Sequence, residues 1–320
     1  MMPSGYTMPA ISVLMTVYNG YNHVGSAIDS ILNQTFRNFE FIIVDDGSTD
    51  QTTTLIENYS KADGRIRLIA TTNSGQTSAL NTGLSYCRAK YIARQDADDA
   101  SLRHRLEIQY RLINADDDRM LVGSRAIYMR GNKIVHRPFK RPPTNPRTVR
   151  RHLEYRNVFI HTSLMFRRVV QGNTIFYEGD LRIAQDFELI TRLSKFGTII
   201  NLKEKLVVLQ LGEGSSSKAK LHSQQDSAIT IALSSIYPEL SYLKFMPKAD
   251  LPQILTDLKS NRLYSHRLIF MNFYYGRVPF STLLRTLDHN LLLIICKNID
   301  LVFITISNRF RQKLNSIRTS

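Results

Sequence analysis

Asp96-Ala97-Asp98-Asp99 puts three carboxylates within four residues, directly after the strand-like run Tyr91-Ile92-Ala93 and Arg94-Gln95. Like charges this close repel, and each raises its neighbours' pKa unless a cation intervenes. A divalent ion with oxygen ligands removes that cost, and Mg²⁺ commonly bridges a few carboxylates to a substrate's phosphates. Carboxyl ends of strands in open α/β sheets are also where ligands bind. The cluster reads as a metal–diphosphate site, against the plainer alternative of a solvated acidic turn.

Other reactive or ligand-binding side chains also follow strand-like runs. Thr16-Val17-Tyr18-Asn19 closes the first of them, and Tyr18 offers an aromatic face for stacking on a base. Val44-Asp45-Asp46-Gly47-Ser48-Thr49-Asp50 closes the second. There Asp46 is placed to accept a hydrogen bond from a nucleobase, Gly47 permits a tight turn, and Ser48 to Asp50 are candidate helix caps. Asn73 to Gly83 is rich in small residues, which suits either a ligand at a helix N-terminus or close helix–sheet packing. His161 lies within Asn157 to Arg167, and Asp186 within Ala184-Gln185-Asp186-Phe187-Glu188-Leu189. Taken singly, a capping tyrosine, a capped turn, a structural histidine and a helix-capping aspartate explain these positions as well.

The order of elements makes the set coherent. Runs of strand formers (Ile11–Val17, Phe39–Val44, Ile66–Ile69, Tyr91–Arg94, then Met120 onward) alternate with segments of helical apolar spacing (Gly25–Leu32, Thr52–Tyr59, Gln76–Cys87, Leu102–Ile113). Such alternation implies βαβ units and a mostly parallel sheet flanked by helices. Four prolines at 138, 142, 143 and 146 imply a loop across 138–146. Gly212 to Ser217 has the composition of a flexible hinge. The expected organisation is a catalytic α/β domain over 1–211 and a mainly helical extension over 212–320.

The formal net charge of +15 calls for an anionic partner: nucleic acid, anionic lipid or a phosphorylated substrate. Eight Lys/Arg and no acid lie between Arg130 and Arg151, which marks this stretch as a candidate contact for an acceptor bearing a lipid diphosphate. Two cysteines, Cys87 and Cys296, match no metal spacing and suit a reducing compartment. Residues 1–10 have neither a charged start nor a long apolar stretch, so no secretory leader is expected. Leu291–Ile306 is the most apolar part of the tail, but Lys297, Asn298 and Asp300 interrupt it. It is expected not to span a membrane; an interfacial helix at an anionic surface and a core helix both remain open.

In this order, the motifs around Thr16, Asp46, Arg94–Asp99, His161 and Asp186 resemble bacterial family-2 glycosyltransferases of the GT-A fold, over about residues 10–211. Similar proteins build capsule, O-antigen or exopolysaccharide repeats. The resemblance implies inverting transfer from a nucleotide-diphosphate sugar, most often a UDP-sugar, to a glycan or lipid-linked acceptor, with Mg²⁺ or Mn²⁺. It implies a cytoplasmic protein, at most peripheral on the inner membrane face, with no nucleic-acid partner. Carried over by position, Thr16, Tyr18, Asp46, Arg94 and Asp96 contact the donor nucleotide. Asp98 binds the metal with support from Asp99, Asp186 is the general base, and His161 lies near acceptor or diphosphate. Gln185 stands where the family often has Glu. Arg103 replaces a common Pro, whereas Arg105 keeps a basic residue. Leu209-Gln210-Leu211-Gly212 lacks the usual Tyr-Arg.

Two rival functions fit less well. A sugar-phosphate nucleotidyltransferase usually opens with a Gly-rich basic loop, but Tyr18-Asn19-Gly20-Tyr21-Asn22 has one glycine and no Lys or Arg. A non-enzymatic nucleic-acid or membrane-binding module suits the net charge, but acids clustered at a sheet edge would repel phosphate without a metal.

Overall fold

The computed structural model describes residues 8–135, 142–179, 181 and 184–211, together with Ile231, Ala232 and Ser234. By contact the chain falls into two compact units. The first joins Met1–Leu153 to Asn157–Ser216, and the second joins Glu154–Arg156 to Ser217–Ser320. In the second unit the described residues Ile231, Ala232 and Ser234 are helical. The Gly212–Ser217 hinge and the apolar Leu291–Ile306 segment lie outside the described residues. Among the described residues, no helix is long and apolar enough to cross a membrane.

The first unit is an α/β domain around one mixed sheet. Its elements begin β1 (Ile11–Val17), α1 (Tyr21–Leu32), β2 (Phe39–Asp45), α2 (Thr52–Ala62), β3 (Ile66–Ala70), α3 (Gln76–Tyr86) and β4 (Tyr91–Asp96). β5 (Ala100–Ser101), α4 (Arg105–Asn114), β6 (Arg119–Arg130), β7 (Lys133–Ile134) and α5 (Pro146–Leu153) follow. Next come a 3-10 turn (His161–Ser163), β8 (Met165–Arg167), β9 (Val169–Val170), β10 (Asn173–Thr174), α6 (Gln185–Leu193) and β11 (Thr198–Gln210). The strand order is β3-β2-β1-β4-β8-β6-β11-β5, with β7 beside β6.

β1 and β2 are buried along their whole length, as strands covered on both faces must be. β3, β2, β1 and β4 run parallel. β8 then inserts antiparallel between β4 and β6, and β11 pairs parallel with β6. The reversal at β8 is the departure from the simple alternating pattern, because a three-residue strand carries no periodicity to read. On one face α1 buries Val24, Ala27, Ile28 and Ile31, the i, i+3, i+4, i+7 stripe. These side chains share a core with Val13, Met15, Phe41, Ile43 and Tyr91.

Two expectations for loops change. Pro146 opens α5, so Arg147, Arg150 and Arg151 sit on a helix instead of a loop. Proline is tolerated at a first helical position, where no backbone N–H is needed. Residues 136–141 of the basic stretch lie outside the described residues. β4 also runs two residues further than its apolar pattern, so Asp96 is its last residue.

α3 packs against β1 and β2 through Gly83. A Cβ at Gly83 would lie 2.3 Å from Leu14 Cδ1 and 3.0 Å from Val44 Cγ2. Leu14 and Val44 are both fully buried, which leaves little room to yield. Overpacking of this kind costs about 1–3 kcal/mol. Gly83→Ala is therefore expected to lower the melting temperature by about 2–10 °C in a domain of this size. A thermal denaturation curve that matches wild type would contradict this packing.

Candidate functional site

The carboxyl ends of β1 and β2 carry two loops bound to each other through side chains. Asn19, at φ 50°, donates its N–H to Ser48 Oγ at 2.9 Å and accepts from Thr49 N at 2.8 Å through Oδ1. Gly20 N donates to Thr52 Oγ1 at 2.9 Å, and Asp50 Oδ1 accepts from Thr52 N at 3.0 Å. Asp45 is buried and accepts from both Ser48 N and Ser48 Oγ. The Ser–Thr–Asp run thus serves as inter-loop stitching as well as helix entry. Tyr18, 51% exposed, projects from this rim with its ring available for stacking.

Asp46 is placed differently from the expectation of a free base-binding carboxylate. It is buried, and its Oδ1 accepts from Ser74 N at 2.8 Å and Ser74 Oγ at 3.2 Å. Its Oδ2 accepts from Gly75 N at 2.9 Å. A carboxylate has about four acceptor positions, so Oδ2 keeps one for a ligand. The neighbouring Gly47, at φ 76°, brings its backbone close to Asn73; a Cβ there would meet Asn73 N at 2.7 Å. Asp46 therefore fixes the loop before α3.

At the end of β4, charge is layered. Arg94 is fully buried and reaches the carbonyls of Leu14 and Gln95. It also donates to Asp96 Oδ1 at 2.7 Å. The expected direct donor contact from Arg94 is not offered by this geometry, since its guanidinium lies beneath Asp96 with no exposed surface. Thr16, beside it at 9% exposure, lies 3.5 Å from Arg94 through its hydroxyl. Below both lies Arg105, also fully buried. All of its N–H groups have acceptors: Gln109 Oε1, Gln95 Oε1, Ser101 Oγ and the carbonyls of Arg94 and Leu164. Burial pulls its pKa down to about 9, while the charge of Asp96 opposes that fall.

Above the arginines, the acids show the strain foreseen for an uncompensated cluster. Desolvation by the surrounding protein, and then the charge of Asp96, raise the pKa of Asp98, whose side chain reaches solvent. Asp99 is buried and pushed up to about 8, by desolvation and then by Asp96 and Asp98. Its Oδ1 accepts from Gln210 N at 3.2 Å, so Asp99 ties the turn between β4 and β5 to the end of β11. Among the described residues, no three His, Cys, Asp or Glu side chains converge to hold a metal by themselves.

The 3-10 turn and α6 bring the remaining candidates to the same edge. Asp96 N donates to Thr162 Oγ1 at 3.0 Å, which joins the turn to β4. His161 Nε2 is 2.9 Å from the Tyr177 hydroxyl, with the rings edge to face at 5.7 Å. Asn81 on α3 clamps the Tyr177 backbone by accepting from its N–H at 2.8 Å and donating to its carbonyl at 2.9 Å. Burial, and then Arg94, lower the pKa of His161; Asp96 and Asp186 oppose the shift. Burial also raises the pKa of Tyr177, and Asp186 and Asp96 act in the same direction. Both rings therefore sense the carboxylate of α6 and that of β4, which puts the two acids within electrostatic reach of one small cluster.

Asp186 sits in the first turn of α6, where a negative side chain suits the helix N-terminus. Asn157 Nδ2 donates to Asp186 Oδ2 at 2.7 Å. Gln185 turns away from Asp186 and donates to Gln76 Oε1 at 3.1 Å. Tyr177 was not among the candidates; Asn19 and Asn157 were named only as parts of segments, and Arg105 only as a basic residue kept from the family pattern. Tyr177 carried no local signal.

A family model, "Glycosyl transferase family 2", matches residues 12–172. A curated relative, the O-antigen biosynthesis glycosyltransferase WbnJ of Escherichia coli, is 35% identical over 66% of this chain and 83% of its own. The chain belongs to glycosyltransferase family 2. A further relative in that class, a glycosyltransferase of Haemophilus influenzae, is 28% identical and covers 97% of this chain and 98% of its own. Among solved structures, S. aureus TarS aligns with TM-score 0.58 and 18% identity over 95% of this chain and 91% of its own. The mannosyltransferase PcManGT of Pyrobaculum calidifontis aligns with TM-score 0.56 and 17% identity over 95% of this chain and 88% of its own. These likenesses support the GT-A fold.

In this family-2 glycosyltransferase the folded surroundings of the half-buried His161 favour its neutral form. Its pKa lies below 6.5 when folded, so the unfolded chain takes up the proton first as pH falls. The stability it confers is present above about pH 6.5 and is lost as pH drops through the folded pKa. The fall in melting temperature between pH 7 and pH 5 is expected to be smaller in His161→Asn than in wild type. Equal falls would show that the histidine is not held neutral.

Proposed function

We propose that this chain transfers a glycosyl group, with inversion, from a nucleotide-diphosphate sugar to a hydroxyl of a glycan or lipid-linked acceptor in cell-surface polysaccharide synthesis. The observation that carries the reading is that Asp186 of α6 and Asp96 of β4 both act electrostatically on the one His161–Tyr177 pair. One carboxylate is free to take a proton while the other faces the leaving group. The O-antigen role in WbnJ's name supports the acceptor class. TarS has been crystallised with UDP-GlcNAc and with UDP, and PcManGT with GDP-Man and Mn²⁺. These complexes support a nucleotide-sugar donor and divalent metal use.

The residues present fit a divalent cation. Asp98 reaches solvent beside Asp96, and desolvation and then the Asp96 charge raise its pKa. Asp98 would hold the ion with Asp96 alongside, and the rest of its shell would come from diphosphate oxygens and water. When bound, the ion supplies neutralisation of charge on the leaving diphosphate. Tyr18 stacks on the base from the rim, and the open acceptor position of Asp46 Oδ2 takes a base N–H. Asp186 removes the proton from the acceptor hydroxyl. The acceptor oxygen bonds to the anomeric carbon as that carbon's bond to the diphosphate oxygen breaks, and the nucleoside diphosphate leaves with the electron pair. This single displacement inverts the centre. A retaining route would need a carboxylate nucleophile against the same carbon, and among the described residues the candidate for that role is Asp186 itself.

A thermal-shift panel of UDP-, GDP- and dTDP-sugars, with and without Mn²⁺, is expected to yield a metal-dependent rise in melting temperature with one nucleotide class. No rise with any of them would count against the donor assignment.

With the donor so found, Asp186→Asn is expected to slow transfer about 10²–10⁴-fold while donor binding persists. Asp98→Asn is expected to remove the metal-dependent part of both binding and transfer. Wild-type transfer rates in both variants would overturn the proposal.

A further inference from the structure

Asn157 is held so that its amide can face only one way. Its Oδ1 accepts from Phe159 N at 2.8 Å. A backbone N–H can only donate, so the atom opposite it must be the amide oxygen. That leaves the NH₂ group for Asp186 Oδ2, at 2.7 Å. The orientation of an Asn amide is often ambiguous and assigned from its neighbours; here both neighbours require the same answer. A donor held against one carboxylate oxygen stabilises the ionised form and fixes the plane of the group. Asp186 Oδ1 is then the oxygen left to receive a proton.

We infer that Asn157 is a positioning residue for the base Asp186, orienting its carboxylate through the Nδ2–Oδ2 hydrogen bond. The inference rests on the proposed role of Asp186 as base. Two other features of this corner act on the same carboxylate and are unchanged by substitution at 157. His161 on the 3-10 turn and Tyr177 both interact electrostatically with Asp186, and those two rings in turn feel Arg94 and Asp96 on β4. Asp186 also lies at the N-terminus of α6, where the helix dipole favours its charge.

Two substitutions separate positioning from simple loop support. Asn157→Asp keeps an oxygen for Phe159 N but replaces the donor to Asp186 with a second carboxylate. Asn157→Ala removes both contacts. The readout is the split between kcat and donor KM in the full chain, with Mn²⁺ and the UDP- or GDP-sugar that wild type turns over best. Asp186→Asn is measured alongside, and melting temperatures are taken for all variants.

Without the hydrogen bond the carboxylate plane is free to turn, and Oδ1 meets the acceptor hydroxyl in the productive orientation less often. In Asn157→Ala kcat at pH 7 is expected to fall about 10-fold with donor KM little changed. Asn157→Asp is expected to be at least as impaired, because it replaces the donor to Asp186 with a second carboxylate that repels it. Should Asn157→Asp run at the wild-type rate, Asn157 only supports the loop and the inference fails, even if Asn157→Ala is slow. Should Asn157→Asp not fold, a wild-type kcat in Asn157→Ala overturns it equally. Inactive Asp186→Asn beside normal Asn157 variants sinks this inference alone. Fully active Asp186→Asn sinks the underlying reading, and this inference with it.

Discussion

Two buried guanidiniums hold the acidic end of β4 in place, and the rest of the site depends on them. Arg94 and Arg105 have no exposed surface, yet each lies within reach of the carboxylates above. A buried charge is tolerable only when it is paired and its hydrogen bonds are made. Arg105 meets the second condition fully, with acceptors on α4, β4, β5 and the residue before β8. Arg94 meets the first through its 2.7 Å contact with Asp96, although its Nε has no partner. The arrangement ties four elements to one point and gives Asp96 a fixed orientation. Asp98 and Asp99 remain beside it, their pKa values raised by desolvation and then by the neighbouring carboxylates. The fold thus gathers acids at the mouth of the sheet over buried guanidiniums.

The same logic explains why the rim loops are so densely hydrogen-bonded. Loops at a strand edge have backbone groups that no sheet neighbour satisfies. Here Asn19, Asp45, Ser48, Thr49 and Asp50 supply the missing partners across the gap between β1 and β2. Asp46 does so for the loop before α3. Polar residues that motif spacing assigns to ligand contact therefore also maintain loop geometry. A carboxylate with four acceptor positions can serve both ends at once, so structural use of Asp46 does not remove it from the ligand's reach.

Much of this was legible in the sequence, for identifiable reasons. β1 to β4 and their helices are announced by local periodicity, and the motif residues at their carboxyl ends follow from sheet geometry. The order and spacing of the motifs around Thr16, Asp46, Asp96, His161 and Asp186 pointed to the family that the comparisons then established. What was hidden depends on pairings distant in the chain. Nothing local shows that Arg94 turns inward beneath Asp96, that Tyr177 meets His161, or that Asn157 meets Asp186 across 29 residues. The helix at Pro146 was obscured by a residue that breaks helices in their interior and starts them at their first position.

The antiparallel insertion of β8 has the largest consequence for chemistry. A sheet built only of βαβ units would bring helix starts to its carboxyl edge and little else. Because β8 runs opposite to β4, the chain that enters it arrives at that edge, and the turn His161–Ser163 is delivered beside Asp96. Asn157 lies a few residues upstream of that turn and meets α6 there. The loops proposed to face the donor thus come from β1, β2 and β4, whereas the group proposed to face the acceptor comes from α6 and is met by the segment before β8. Under the proposed chemistry this division has a physical use. The base and the leaving-group charge must lie on opposite sides of one carbon, and two sets of elements that approach the edge in opposite senses can supply that geometry from a single sheet.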